Sequence, residues 1–348
     1  MLNLHIPQRA VWLSAGVGVG AILSSVAFTV WLLDGRSPPP KHNTTTMPLA
    51  MPDPMMSAPP PEDDIDMSTG PLAAAPVPEP VAAPAPEVAP PPPPPPRYIE
   101  NASPLVEVKP GEPMIAIVLD DMGVNVANSA DALSLPKEIT FSFLPYGHGT
   151  LEQAKEARQA GHEIMIHIPM EPMPRMEEPP VDPGPNALYV DLPADEIERR
   201  THVNIDPLKD MAVGANNHMG SRFTSEVPGM REVLNILQDE RLFFLDSLTI
   251  GNTKVPEAAQ GMHIPVLTRN VFIDHYLAAD SIRKALEGLE HVAREKGYAI
   301  AIGHPHQRTL QALRDWLPTL AAKGIAIVPI TQLLPKPSQT ASAQPHGD

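Results

Sequence analysis

The 348-residue chain has no cysteine. Disulfides, cysteine-ligated zinc and thiol catalysis are excluded together, and the chain suits an oxidising or a reducing compartment equally. Basic residues are scarce: 25 Lys and Arg stand against 41 Asp and Glu, a formal net charge of -16. Binding to phosphates needs a basic surface, so no nucleic-acid partner is expected. No G-x-G-x-x-G follows any apolar run, which leaves a dinucleotide fold without support. What the chain has in excess is proline, 46 residues unevenly placed.

The placement divides the chain. Val11–Leu33 carries no charge and is long enough to cross a bilayer as a helix, which takes about 20 residues. Trp12 and Trp31 lie near its ends, where amphipathic rings favour the membrane interface. No clear small-x-small cleavage site follows, so residues 1–36 are expected to be a cytoplasmic N-terminus and an uncleaved anchor. The protein is then expected in the inner (cytoplasmic) membrane, single-pass, with its C-terminal domain in the periplasm. Residues 37–110 form a linker, Pro/Ala-rich through Arg97, that cannot bury a core and is expected to be disordered and extended. A polar tail, residues 335–348, is expected to be disordered as well.

Between these, residues 111–334 alternate short β-branched runs with helical patterns. The runs fall at 114–119, 139–144, 163–168, 211–215, 242–245, 264–267, 298–303 and 325–330. Helical spacing appears at 150–160, 194–203, 229–240, 280–296 and 308–322. In the fourth of these, Ile282, Leu286, Leu289 and Val292 share a face and Gly297 can cap the end. Strand–helix alternation of this kind means parallel strands with helices outside. The fold class expected is α/β, a (β/α) barrel of seven to eight parallel strands, complete or not. An open doubly wound sheet is the alternative.

In such barrels the reacting groups lie at the C-terminal ends of strands. The residues following the runs are Asp120 and Asp121; His148; His167 and Glu171; Asn216, Asn217, His218 and Ser221; Asp246; Arg269 and Asp274; His304 and His306. Singly, many have ordinary structural readings. Asp274 and His275 can cap the helix near residue 280, and His148 sits in a glycine-rich turn. Jointly, carboxylates after the first run and histidines after the third, fourth and seventh suit a divalent ion such as zinc. Successive strand residues point to opposite sides, so adjacent Asp120 and Asp121 can serve two tasks, one at the metal and one at a water.

The sequence resembles the divergent polysaccharide deacetylase family, relatives of the carbohydrate esterases with a NodB-type fold. The resemblance spans 112–334. It rests on "AIVLDDMG" (116–123), "GHEIMIHIPMEP" (161–172) and "AIGHPH" (301–306), with "GANNHMGSRFT" and "FFLDSLT" as signatures of the divergent branch. The resemblance implies a distorted (β/α) barrel and a divalent metal, with zinc expected. It implies Asp120 as general base, Asp121 and His167 as metal ligands, and His304 as the acid that protonates the leaving amine. The family's second metal histidine falls on Glu171, and its Arg-x-Pro-Tyr motif is absent. His218 and Glu171 are therefore both candidates for the third ligand, with His218 favoured because imidazole is the better zinc ligand. Arg269 or Arg222 is the candidate to replace the missing arginine beside Asp120. Asn217, Ser221, Asp246 and Arg269 are candidate substrate-binding residues, and backbone amides near Met219 and Gly220 are candidate oxyanion donors. The expected function is removal of acetyl groups from an N-acetylated glycan of the envelope, peptidoglycan or another polysaccharide. The alternative is a non-catalytic module on the same fold that binds glycan or a cell-wall partner.

Overall fold

Residues 94–174 and 179–335 are described in a computed structural model. The expected anchor, the linker up to residue 93 and the tail from 336 lie outside the described residues. No helix among the described residues is long and apolar enough to cross a membrane.

The β-branched runs become strands and the amphipathic stretches become helices, in the order α1 (Arg97–Glu100), β1 (Met114–Met122), α2 (Val126–Ala132), β2 (Thr140–Phe143), α3 (Thr150–Ala160), β3 (Ile164–Met170), α4 (Ala194–Ile205), β4 (Ala212–Met219), α5 (Val227–Asp239), β5 (Phe243–Asp246), α6 (Val255–Ala258), β6 (Val266–Thr268), β7 (Val271–Phe272), α7 (Ala279–Lys296), β8 (Tyr298–Gly303), α8 (Gln307–Trp316) and β9 (Ala326–Ile327). In α7 the buried face is Ile282, Leu286, Leu289 and Ala293, and Gly297 ends the helix at φ 82°. Glycine reaches that left-handed conformation without strain.

Every ladder is parallel, and the main order is β6-β5-β4-β3-β2-β1-β8-β7. The two end strands, β6 and β7, are consecutive in the chain and separated only by Arg269 and Asn270. Three peptide steps span at most about 11 Å, so the sheet must curl until its edges nearly meet. No β6–β7 ladder closes the gap. Instead the Arg269 amide donates to Asp246 O on one side (3.0 Å), and the Asn270 amide to Ile300 O on the other (2.8 Å). The Asn270 side chain accepts from the Ile300 amide (2.8 Å). This is the distortion of the barrel.

The expected strand at 325–330 is cut short. It pairs with β1 only over Ala326–Ile327, and a 3-10 turn follows at Ile330–Leu333. Pro329 has no amide hydrogen to give a ladder. The expected linker boundary at 110 also moves back. Arg97 donates its amide to Arg241 O (2.9 Å), and Ser103 is tied to buried Glu163 (3.0 Å) and to Gly161 O (2.8 Å). Residues 97–108 thus strap the floor of the barrel, with Tyr98, Val106 and Val108 packed on its inner core.

Side-chain parity separates two apolar shells. Ala116, Val118, Met165, Val213, Phe243, Leu245, Ile300 and Ile302 fill the barrel, whereas Ile115, Ile117, Leu119, Ile166, Ile168 and Phe244 face the helices. Gly214 allows β4 and β5 to approach, since a Cβ there would lie 2.6 Å from the Phe243 ring.

Candidate metal and catalytic site

Following the inward parity one step past the apolar fill reaches Asp120, His167, Ser247 and His304; Ser142 on β2 and, past the register shift between β3 and β4 at Ile164/Met165, Asn216 complete a polar layer. All but His304 are buried. Strand register sets it up. His167 pairs with Asn216 and Pro169 with His218, so His167, Asn216 and His218 share a face of adjacent strands.

Asn216 is the hub. Its Oδ1 accepts from His167 Nδ1–H (2.9 Å) and from Ser142 Oγ–H (2.6 Å). Its Nδ2 donates to both oxygens of Asp120 (2.9 and 3.0 Å) and lies 3.2 Å from Ser247 Oγ. An amide oxygen can only accept, so the proton of His167 is fixed on Nδ1 and the Nε2 lone pair is turned toward the mouth.

The β1 ladder shifts register between Leu119 and Met122, and Asp121 adopts a left-handed φ of 56°. Plain strand alternation would send Asp120 and Asp121 to opposite faces. The irregularity brings both to His167 Nε2, at 3.5 Å (Asp120 Oδ2) and 3.4 Å (Asp121 Oδ1). Gly123, at φ 89°, follows because a Cβ would collide with Thr150.

Asp121 Oδ1 lies 3.0 Å from His218 Nδ1, which is 3.2 Å from His167 Nε2. Three lone-pair atoms thus converge. Asp121 Oδ1 is buried and makes no hydrogen bond. An orphaned carboxylate oxygen beside two imidazole nitrogens is a donor set that fits a divalent cation with further open positions. The electrostatics agree. Burial opposes charge on both groups. Even so, the two histidines hold the Asp121 carboxyl below the usual range, and the charges of Asp120 and Asp121 raise the pKa of His167. The pocket favours a positive charge, which a proton or a metal ion can supply.

Asp120 differs from its neighbour. Burial pushes its carboxyl up, against the pull of His167, His304 and the Asn216 amide. Adjacent carboxylates whose environments drive their pKa values apart are suited to separate roles, one a ligand and one a base.

Across the mouth stands a second unit. His304 donates Nδ1–H to Asp274 Oδ1 (2.9 Å), and Asp274 Oδ2 accepts from the His304 amide (2.7 Å) and Thr309 Oγ1 (2.8 Å). His304 Nε2 points to Asp121 Oδ2 at 4.0 Å. Burial disfavours the imidazolium, but the Asp274 carboxylate outweighs it and pushes the pKa up to about 9. The Phe272 ring stacks near His304 (6.3 Å, 18°), and Arg269 lies over Phe272 at 3.8 Å from its centroid.

The remaining expected residues lie elsewhere. Glu171 is apart from the Asp121–His167–His218 group: it pairs with Arg222 (2.5 Å) and accepts from the Val190 amide (2.9 Å). Arg222 is thereby spent, and Arg269 donates to Ser247 O (2.6 Å) and Leu248 O (2.7 Å). Asn216, not an arginine, is the hydrogen-bond partner of Asp120. Asn217 is buried, accepting from the Ser247 amide (2.9 Å) and donating to Met219 O (2.7 Å). Buried Asp246 holds the Leu248 amide (2.8 Å), and Ser221 accepts from the Met173 amide (2.8 Å). Met219 (φ 52°) and Gly220 (φ 84°) form the turn that ends β4. Asp274, Ser142 and Ser247 carry no role in the sequence reading. Parity in "ITFSF" and "FFLDS" marks the two serines, while Asp274 is masked by its resemblance to a helix cap.

The family model described as divergent polysaccharide deacetylase matches residues 117–334. The chain belongs to the divergent polysaccharide deacetylase family. Relatives include the uncharacterized protein YibQ of Escherichia coli, 39% identical over 233 residues, covering 66% of this chain and 70% of YibQ. An uncharacterized protein of Haemophilus influenzae is 32% identical over 206 residues, 59% of this chain and 71% of its own. Among solved structures, the uncharacterized protein ATU2773 from Agrobacterium tumefaciens matches with a TM-score of 0.62 and 28% identity, over 68% of this chain and 94% of that one.

Proposed function

We propose that the protein is a membrane-anchored, metal-dependent hydrolase that removes acetyl groups from an N-acetylated envelope polysaccharide, with zinc as its ion. The observation that carries this reading is the convergence of Asp121, His167 and His218 between a buried carboxylate on one side and the Asp274–His304 pair on the other. A cation held by Asp121, His167 and His218 would polarise the acetamide carbonyl and acidify the attacking water. Asp120, raised in pKa and aimed by Asn216, takes a proton from that water as it adds to the carbonyl carbon. His304 gives its Nε2 proton to the nitrogen as the C–N bond breaks, leaving a free amine and acetate. Asp274 keeps the other ring nitrogen protonated and the imidazole in place.

The second reading is a glycan-binding module without turnover. It is favoured by one observation: Asp120 has a neutral amide as its partner, so burial is not offset there by an adjacent arginine. Zinc-loaded full-length protein incubated with peptidoglycan fragments decides between them. Acetate release in proportion to bound zinc supports the hydrolase; none from any N-acetylated glycan with zinc, cobalt or manganese leaves the binding module. The anchor rests on the uncharged Val11–Leu33 stretch. High salt should leave the full-length chain in the membrane fraction, since screening cannot extract a spanning helix. Release by salt alone would end that part of the proposal.

A further inference from the structure

Among the described residues, three groups of carboxylate and imidazole atoms converge closely enough to hold a cation. Asp121, His167 and His218 are the first. The second is Asp274, His304 and His306, and the third is His202, Asp206 and Glu240. The third already has its cation. Lys209 Nζ lies 2.9 Å from Asp206 Oδ1 and 2.8 Å from Glu240 Oε1, so an ammonium neutralises both carboxylates. At the second group no lysine or arginine among the described residues pairs with Asp274; its ion-pair partner is His304.

Local structure builds this second group. In "GHPH" the two histidines stand on either side of Pro305. The His306 amide donates to His304 O at 2.7 Å, a turn of three residues. Proline suits its centre, because the ring holds φ near the value such a turn needs. The two imidazole centroids are 5.8 Å apart. Asp274 reaches them from just past β7, with Oδ1 2.9 Å from His304 Nδ1. One ligand atom from each of the three lies within 4.8 Å of the others. Zinc bonds of about 2.0–2.2 Å need these atoms closer together. His306 is exposed, so rotation of its ring can close the difference. The group opens into a cleft of about 370 Å³, also bounded by Phe272 and Leu277, with room for an ion and its waters.

We propose that Asp274, His304 and His306 form a second divalent-cation site that accepts zinc more weakly than the first. It is weaker because Asp274 and His304 must give up the bond between them and His306 must be ordered. The consequence rests on the deacetylase reading. An imidazole nitrogen binds a metal only after its proton has left, here to solvent. With the second ion bound, His304 is no longer an imidazolium and cannot deliver a proton to the leaving amine. Excess zinc then stops turnover through the acid, with the first ion still in place.

The test titrates full-length protein in detergent micelles with zinc and counts the metal bound at equilibrium. Acetate release from peptidoglycan fragments is followed in parallel. Wild type should take up a first equivalent that survives dialysis against zinc-free buffer and a second that does not. His306→Ala should weaken the second at least about tenfold, since losing even an indirect partner of a metal histidine costs that much. His275→Ala, at an exposed neighbour outside the group, should bind both. The first equivalent, kept in both variants, reports an intact fold. Saturation of wild type at a single equivalent would overturn the site. So would a second equivalent that survives His306→Ala or is lost in His275→Ala. Filling the second site should lower acetate release in wild type, whereas the same zinc range should leave it constant in His306→Ala. Acetate release that ignores a bound second ion overturns the inhibition. No acetate release at any zinc level sinks the hydrolase, and the metal count still decides the site.

Discussion

His167 and His304 are both imidazoles at the ends of parallel strands, yet they are held in different ways. His167 is buried in the middle of the sheet, on a strand paired along its length with β4 and locked by an amide that is itself bonded to Asp120 and Ser142. The His304 side chain is 27% exposed, next to the two-residue strand β7 at the open seam, and is oriented by one carboxylate and an aromatic neighbour. The first arrangement fixes a lone pair, as a metal ligand requires. The second keeps a proton on the inner nitrogen and leaves the outer one beside a cleft, as an acid delivering to a substrate requires. Under the proposed function, the long-paired half of the sheet carries what must not move, and the seam carries what must meet solvent and substrate.

The comparison breaks most sharply on metal content. Asp121→Ala or His167→Ala should abolish stoichiometric zinc in dialysed protein, and acetate release with it, whereas His304→Ala and His148→Ala should keep a full equivalent. Zinc retained by both of the first pair would dissolve the distinction between the two halves.

A step down in size are the proton carriers. Asp120→Asn keeps shape and removes basicity; it should retain zinc and lose acetate release by about 10²–10⁴-fold per bound metal. His304→Ala should lose a similar factor. Asp120→Asn as active as wild type would move the base elsewhere.

Much of this was legible in the sequence, and the misses share a cause. The β-branched runs, the helix at 280–296 with its glycine end, and the strand-end cluster of Asp120, Asp121, His167, His218 and His304 all follow from local patterns that survive folding. Hidden from sequence was whatever depends on cross-strand register. Asn216 stood among polar residues after the fourth run, but only its pairing opposite His167 makes it the hub. Asp274 looked like a cap because nothing local shows that β7 lies beside β8. The missing arginine beside Asp120 suggested another arginine, whereas an amide on the neighbouring strand takes the place. Strand β7 escaped because two residues carry no periodicity.

Next in size is the amide hub. Asn216→Ala frees the His167 tautomer and should weaken zinc about 10–100-fold, the usual consequence of losing a group that orients a metal histidine. Competition with a chelator reads it directly. An unchanged affinity would mean that packing alone orients His167.

On the seam the expected change is in pH dependence. Under the proposed function the acid is competent while His304 is protonated, so activity should fall as pH rises through about 9. Asp274→Asn removes the charge that raises this pKa. The alkaline limb should move to lower pH by about one to three pH units, with zinc content unchanged. A limb that stays in place assigns the alkaline loss to another group.

The smallest effect tests the border of the metal half. Glu171 holds the position where the family resemblance expects a ligand, but its carboxylate is occupied by Arg222 and the Val190 amide, tying the loop after β3 to the turn after β4. Glu171→Gln removes the charge, keeps an acceptor for Val190 and should leave zinc content unchanged, with at most a small drop in Tm. His218→Ala removes one of the three converging atoms and should lower zinc affinity clearly. The reverse order would require Glu171 to leave Arg222 and swing to the cation when metal binds. That would expose the Arg222 guanidinium and free the loop at Val190, which hydrogen exchange on zinc addition would detect as lost protection at residues 188–190.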